Sequence, residues 1–251
     1  MELPAWKLGI SAFRPALFIG LYHPLDWLAF LLHRGARTAV WCGGDVLAVQ
    51  ERPRWGRLLT RAKGVRHICE NGVEQKALSQ LGIGAEILPL IFTPFVFGES
   101  PFIPSTQPQV YLTAHPGREK EYGVPLLAAV AQLLPDFTFH IYGVRGAGTE
   151  PPNVQFHGAV GEGRFNEEIR RYHGAIRLNA FDGFAETLAK SALLGQYPMS
   201  AIHYPHITHI PTRKDLLRAL LALQKKKAPN LEAKEFWRRE LQFNLESLIR
   251  G

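Results

Sequence analysis

The stretch LNAFDGFAETLAKSALLGQYP, residues 178–198, organises the reading of this chain. Ile176, Arg177 and Leu178 close an extended run, and Asn179, Asp182 and Gly183 form a short polar loop. From Phe184 to Leu194 the residues are good helix formers, with Phe184, Leu188, Ser191 and Ala192 at helical spacing. Gly195 supplies a left-handed stop, and Pro198 keeps the helix from resuming. Strand, loop and helix in so short a span form the repeating unit of a parallel α/β sheet. The loop sets a carboxylate and a glycine before a helix N-terminus, where unpaired N–H groups and the helix dipole favour anions. A helix cap without a ligand explains the same residues.

The same rhythm extends outward from this stretch. Towards the C-terminus a strand is expected over 199–202 and helices over 214–226 and 231–249. Towards the N-terminus, strands are expected over 110–113, 137–142, 154–156 and 175–178, with helices over 124–134 and 165–172. Residues 98–108 (GESPFIPSTQP) hold three prolines and no periodicity, and read as a linker. Before it lie strands at 15–21, 37–42, 65–69 and 86–90. Helices alternate with them at 25–33, at 45–62 with a break at Pro53, and at 73–81 between an Asn71 cap and Gly82. The expected organisation is an N-terminal domain over 1–97, the linker, a second α/β domain over 109–212 and closing helices over 213–251.

Composition narrows the class. Of 251 residues, 46% are hydrophobic and 20% charged, the balance of an ordinary globular protein. No run of eighteen apolar residues occurs, and the start MELPAWKLG lacks the design of a signal peptide, so a cytoplasmic protein is expected. Cys42 and Cys69 fit free thiols. The net charge of +7 favours anionic partners: a phosphorylated donor, an acidic membrane surface contacted peripherally, or nucleic acid. Much of the excess lies in 52–63 and 224–239, where solvated helix faces account for it equally well.

Ordered landmarks then make the second half resemble the donor-binding domain of the GT-B glycosyltransferases. More narrowly, it is similar to the retaining branch that includes glycogen and sucrose synthases and bacterial lipid mannosyltransferases. The landmarks are a basic loop ending in Lys120, Tyr122 and Gly123, a strand ending in Tyr142–Gly143, the run PNVQFHG at 152–158, and the acidic-Gly-Phe loop at 182–184 closed by Gly195 and Pro198. In the first half, Trp41-Cys42-Gly43-Gly44-Asp45 resembles the family's H-G-T-D loop. The resemblance implies α/β architecture of the GT-B type, two Rossmann-like domains facing a cleft, with a shortened acceptor domain. It implies hexosyl transfer from a UDP- or GDP-sugar to an acceptor hydroxyl, with retention, no required cofactor and no metal. The acceptor is a glycan, a lipid or a nucleic acid, the last including a modified base in phage-type DNA. A catalytically degenerate binding subunit is the further alternative.

The resemblance also implies roles for residues. Transfer from a sugar nucleotide expels a diphosphate, whose charge needs cations and helix amides. Lys120 matches the family's lysine, and either Arg118 or His115 stands for its arginine, with Arg145 a further candidate. Asp182 would contact the transferred sugar. Gly183, Phe184, Ala185 and Thr187 would hold phosphate, and Phe156, His157 and Gly158 would border the base. The second acidic position of the family's Glu-x7-Glu motif is here Lys190, which cannot accept the ribose hydroxyls. Lys190 is therefore expected either to pair with Glu186 on an exposed helix face or to meet a donor phosphate. His23, Gly43, Gly44 and Asp45 would lie on the acceptor side, with Asp45 or His23 as a candidate base. His203, His206 and His209 do not share a helical face, because Pro205 intervenes, and no metal site is expected.

Overall fold

A computed structural model of the chain describes residues 13–91, Phe102 and residues 105–250. The first twelve residues and much of the expected 98–108 linker lie outside the described residues. The chain divides into two compact units. One runs to Leu90 and takes in Phe181–Phe184; the other comprises Ile91–Ala180 and Ala185–Gly251.

In the N-terminal unit, β1 (Ala16–Ile19), β2 (Arg37–Val40), β3 (Val65–Cys69) and β4 (Glu86–Ile87) form a parallel sheet in sequential order. Between them run α1 (Pro24–Leu32), α2 (Gly44–Gln50), α3 (Pro53–Leu59) and α4 (Gly72–Gln80). Strands taken in order through right-handed crossovers place their connecting helices on one face. The core agrees: Trp27 and Phe30 of α1, Val46 and Val49 of α2, Leu59 of α3 and Leu78 of α4 pack with Ala39, Trp41 and Cys69. The break expected at Pro53 separates α2 from α3. Asn71 caps α4 as expected, its Oδ1 accepting the Val73 and Glu74 amides at 3.0 Å each. The strand expected over 86–90 is only Glu86–Ile87.

In the C-terminal unit the elements are β5 (Gln109–Thr113), α5 (Val124–Ala131), β6 (Thr138–Tyr142), β7 (Val154–Gly158), α6 (Glu162–Glu168), β8 (Gly174–Arg177), α7 (Glu186–Leu193), β9 (Met199–Ser200), β10 (Thr208–His209), α8 (Arg213–Leu223) and α9 (Leu231–Arg250). The six strands are parallel in the order β10-β9-β8-β5-β6-β7. The chain therefore builds outward from β5 through β6 and β7, then returns to the other side of β5 with β8. Val110, Leu112, Phe139, Ile141 and Ile176 carry the core onto α5 and α8. In the PNVQFHG run, Asn153 acts as a tie: its Nδ2 reaches the carbonyls of Ala131, Leu134 and Phe137 at 3.0, 2.9 and 3.0 Å. It thus holds the end of α5 and the entry to β6 against β7. No helix among the described residues is long and apolar enough to cross a membrane.

Candidate functional site

In an open parallel sheet, ligands sit beyond the C-terminal strand ends where the strand order reverses. Here that place is between β5 and β8, whose last residues are Thr113 and Arg177. A cavity of about 530 Å³ lies there. Strand ends supply Thr113, Tyr142, Gly143 and Arg177 to its wall; α6 supplies Glu162 and Phe165; α7 and its lead-in supply Ala185, Glu186, Thr187 and Lys190. The first amides of α7 have no intrahelical acceptor, so this wall carries the positive end of a helix.

Two cations border the cavity. The Arg177 guanidinium lies 4.5 Å from the Tyr122 ring centroid and donates from Nη1 to Thr113 Oγ1 at 3.4 Å. Lys190 is only 4% exposed. Its Nζ meets Glu186 Oε1 at 2.6 Å and Glu162 Oε1 at 3.4 Å, and stands 5.4 Å from the Phe165 ring centroid. The expected i,i+4 pair is present, but the helix face is not exposed. The neighbouring turns of α7 bury Leu188, Ala189, Ser191 and Ala192, and the Ser191 hydroxyl accepts the Ala175 amide at 3.0 Å, fixing α7 on β8. Lys190→Glu would set a third carboxylate among Glu162 and Glu186 in a buried position. Stability should fall by about 2 kcal/mol or more, readable as a lower urea midpoint, whereas Lys190→Met should cost less. Equal midpoints for the two variants would show that the ion pairing is without weight.

Behind the cavity wall is a ladder of rings. Tyr142 stacks on His157 at 4.4 Å, and His140 stacks on Tyr172 at 4.2 Å. His140 Nδ1 and His157 Nε2 are 2.9 Å apart, and the Tyr142 hydroxyl donates to Glu168 Oε2 at 2.7 Å. Burial, then the neighbouring His157, lowers His140 to about 4. Burial likewise lowers His157. His157 thus braces Tyr142, and neither it, Phe156 nor Gly158 lines the cavity.

The other expected donor residues separate into two groups. Ala185, Thr187 and Lys190 line the cavity; His115, Arg118, Lys120 and Arg145 are exposed and do not. Arg118 is engaged by Glu121 through its Nε at 2.9 Å. The His115 ring bonds the Pro116 carbonyl at 2.9 Å. Arg177 and Glu162 were not singled out from the sequence. Arg177 closes the extended run that precedes the acidic loop, and its position at a strand's C-terminal end was the available signal. Glu162 had none, since only the packing of α6 brings it to the wall.

Asp182, Gly183 and Phe184 belong to the N-terminal unit. There the Phe184 amide, expected to meet an anionic ligand, donates to Glu70 Oε2 at 2.9 Å. The Asp182 carbonyl accepts from Asn71 Nδ2 at 2.7 Å. Gly43 and Gly183 allow a close approach: a Cβ on Gly43 would lie 2.6 Å from Gly183 N, and one on Gly183 would lie 2.1 Å from Glu70 Oε2. Asp45 is fully buried, and its carboxyl accepts the amides of Leu21, Cys42 and Val46 at 3.0, 2.9 and 2.9 Å. Burial raises its pKa. It ties the loops after β1 and β2, a correction to its expected place facing an acceptor. His23 is a cap: its Nδ1 accepts the Leu25 amide at 3.2 Å, while its own amide donates to Asp26 Oδ2 at 2.8 Å. Gly44 is exposed beside them. Among the described residues no cluster of three histidine, cysteine or acidic groups could hold a metal ion.

Solved structures share this fold. The lipopolysaccharide outer core galactosyltransferase WaaB, in apo form, matches with a TM-score of 0.65 at 14% identity, over 93% of this chain and 74% of that one. Anabaena HepE in complex with UDP and glucose matches at 0.64 and 12%, over 92% and 77%. The fold is GT-B. TarM matches at 0.57 and 11%, over 92% of this chain but 51% of its own, so the present chain spans about half of TarM's length. No protein-family model and no curated protein matches the sequence. The GT-B fold accounts for the landmark order at 110–158 and for the two parallel sheets. It does not by itself assign a role to Lys190 or Arg177.

Proposed function

We propose that this chain is a glycosyltransferase that uses a nucleotide sugar, held in the cavity of its C-terminal unit. The observation that carries the reading is the convergence of three features at the β5/β8 reversal: a cavity of about 530 Å³, the Arg177 guanidinium and the first turn of α7. A nucleoside diphosphate presents negative charge to such a wall. As the bond from the sugar to the diphosphate breaks, Arg177 and the amides of Glu186 and Thr187 would share the charge that builds on the leaving oxygen. Gly143 would admit the ligand close to the sheet edge, where a side chain would already meet backbone. The fold likeness to a HepE complex holding UDP and glucose favours UDP and a hexose as the donor. Transfer with retention and without a divalent ion rests on the sequence resemblance alone. A second reading, a binding protein that retains the donor but does not transfer it, draws on Lys190 and its two carboxylates, which stand where the resemblance places an acceptor of ribose hydrogen bonds.

The test is a thermal-shift panel of UDP, GDP, UDP-glucose and GDP-mannose. A ligand at a hundred times its Kd adds about 2.7 kcal/mol, which raises the Tm of a chain this size by roughly 5–10 °C. Arg177→Ala should abolish most of that shift. No shift with any of the four compounds sinks the donor site. A shift without release of nucleoside diphosphate, across a range of acceptors, selects the second reading.

A further inference from the structure

We propose that the outer face of α1 and α3 seats this protein on an anionic lipid surface. Helix α1 buries Trp27 and Phe30 but also turns Leu25, Leu28 and Leu32 outward, at 67, 44 and 50% exposure. Their spacing of three and four residues puts them on one face. Helix α3 buries Gly56 and Leu59 and turns out Arg54, Arg57 and Leu58, and the turn that follows it exposes Arg61. The two faces belong to one layer. Both helices bury their inner sides in the same core, and Trp27 and Trp55 meet between them with ring centroids 5.3 Å apart. Arg34 follows α1 and Lys63 follows α3, both exposed. Among the described residues no ion pair engages Arg54, Arg57 or Arg61.

A row of leucines in water is an apolar patch of the kind that marks an interaction surface, and the row of arginines beside it sets the sign of the partner. Anionic headgroups answer the guanidinium charges, and the headgroup–acyl boundary takes in the leucines. A nucleic acid would engage the arginines but offers nothing to Leu25, Leu28 and Leu32. The surface is independent of the donor cavity, which lies in the other unit.

The experiment is flotation of the full chain with vesicles of phosphatidylcholine alone or of phosphatidylcholine mixed with phosphatidylglycerol. Partition should be at least roughly ten-fold stronger on the mixed vesicles and should weaken as salt is raised. The triple variant Arg54→Gln/Arg57→Gln/Arg61→Gln should lose about a hundred-fold in partition, at about five-fold per charge near the surface. Leu25→Ser/Leu28→Ser/Leu32→Ser should lose at least about ten-fold with an unchanged circular dichroism spectrum. Both variants should keep the wild-type Tm shift with nucleotide. Equal partition on the two vesicle types, or leucine variants that float like the wild type, overturns the proposal. So does tighter binding to duplex DNA than to vesicles that the leucine changes leave untouched.

Discussion

Stability is expected to fall as pH rises above about 6.5, by about 1.4 kcal/mol per pH unit for each proton the folded chain retains. The source is a pair of buried carboxyls in the N-terminal unit. Glu74 is fully buried and Glu70 is 5% exposed. Glu74 Oε2 accepts the Glu70 amide at 2.6 Å, while Glu74 Oε1 is buried without a partner. The acidic groups around them are Asp45 and Asp182, with Cys42 and Tyr22 nearby. Burial first, and then these neighbouring acids, pushes Glu70 up to about 8 and Glu74 up to about 9. Unfolded, both would titrate near 4.5. The folded chain therefore binds more protons than the unfolded chain through the neutral range. The stability contributed by the protonated pair is complete below the unfolded value and drains away as pH rises through the folded ones.

Histidines act in the opposite sense, but lower on the scale. Burial lowers His67 and His140 to about 4 from 6.5. They make the fold more stable as pH rises from 4 to 6.5 and add nothing beyond. The two effects offset each other below pH 6.5, and only the carboxyl pair remains above it. Urea unfolding from pH 6.5 to 8 reads the slope directly. Glu74→Gln keeps the shape and removes the titration, so it should flatten the slope and be the more stable protein at pH 8. A wild type that is flat over this window would show the pair ionised and the reading wrong.

Gly143→Ala should cost about 3 kcal/mol or more and abolish nucleotide binding with it. Gly143 has φ +89°, and a Cβ there would lie 2.1 Å from the Ala114 carbonyl oxygen, which is backbone and cannot swing aside. The Gly143 amide donates to the Gly158 carbonyl at 2.7 Å, so any shift pulls on β7 as well as β5. Gly148→Ala is the control. Gly148 has φ +84° with nothing within 4 Å of its would-be Cβ, so it incurs only the left-handed strain of about 1 kcal/mol. Equal losses for the two variants would remove the close-approach argument for the cavity edge.

The parts of the molecule legible from sequence share one property: they are decided within a few residues. Asn71 caps α4 because Oδ1 reaches amides two and three positions on. Pro53 separates α2 from α3, and the helix of the 178–198 stretch stops at Gly195, whose φ is +74°. Alternation of such elements is enough to specify parallel α/β sheets. The 182–184 loop is marked locally as a place where amides could meet an anionic ligand; in the structure the Phe184 amide donates to the Glu70 carboxyl of the chain itself.

The site was less legible, because its members come together only through strand order and packing. Arg177 and Thr113 become neighbours across the cavity edge because β8 returns beside β5, a reversal that hydrophobic periodicity does not encode. Lys190 looked like half of a surface ion pair; burial of its helix against β8 turned it inward, where two carboxylates answer its charge. Asp45, expected at a crevice, is buried on three backbone amides, and His23 caps α1 through Nδ1. Glu70 and Phe184 are 114 positions apart, so no local pattern could announce their bond or the proton that burial leaves on the carboxyl. Sequence alone determined most of the elements, the Asn71 cap and the parallel α/β class, because those follow from local sterics and from the side on which apolar residues recur. Tertiary structure decided which charges are buried, which are answered and which face the cavity, because desolvation and charge pairing depend on residues brought together from distant parts of the chain.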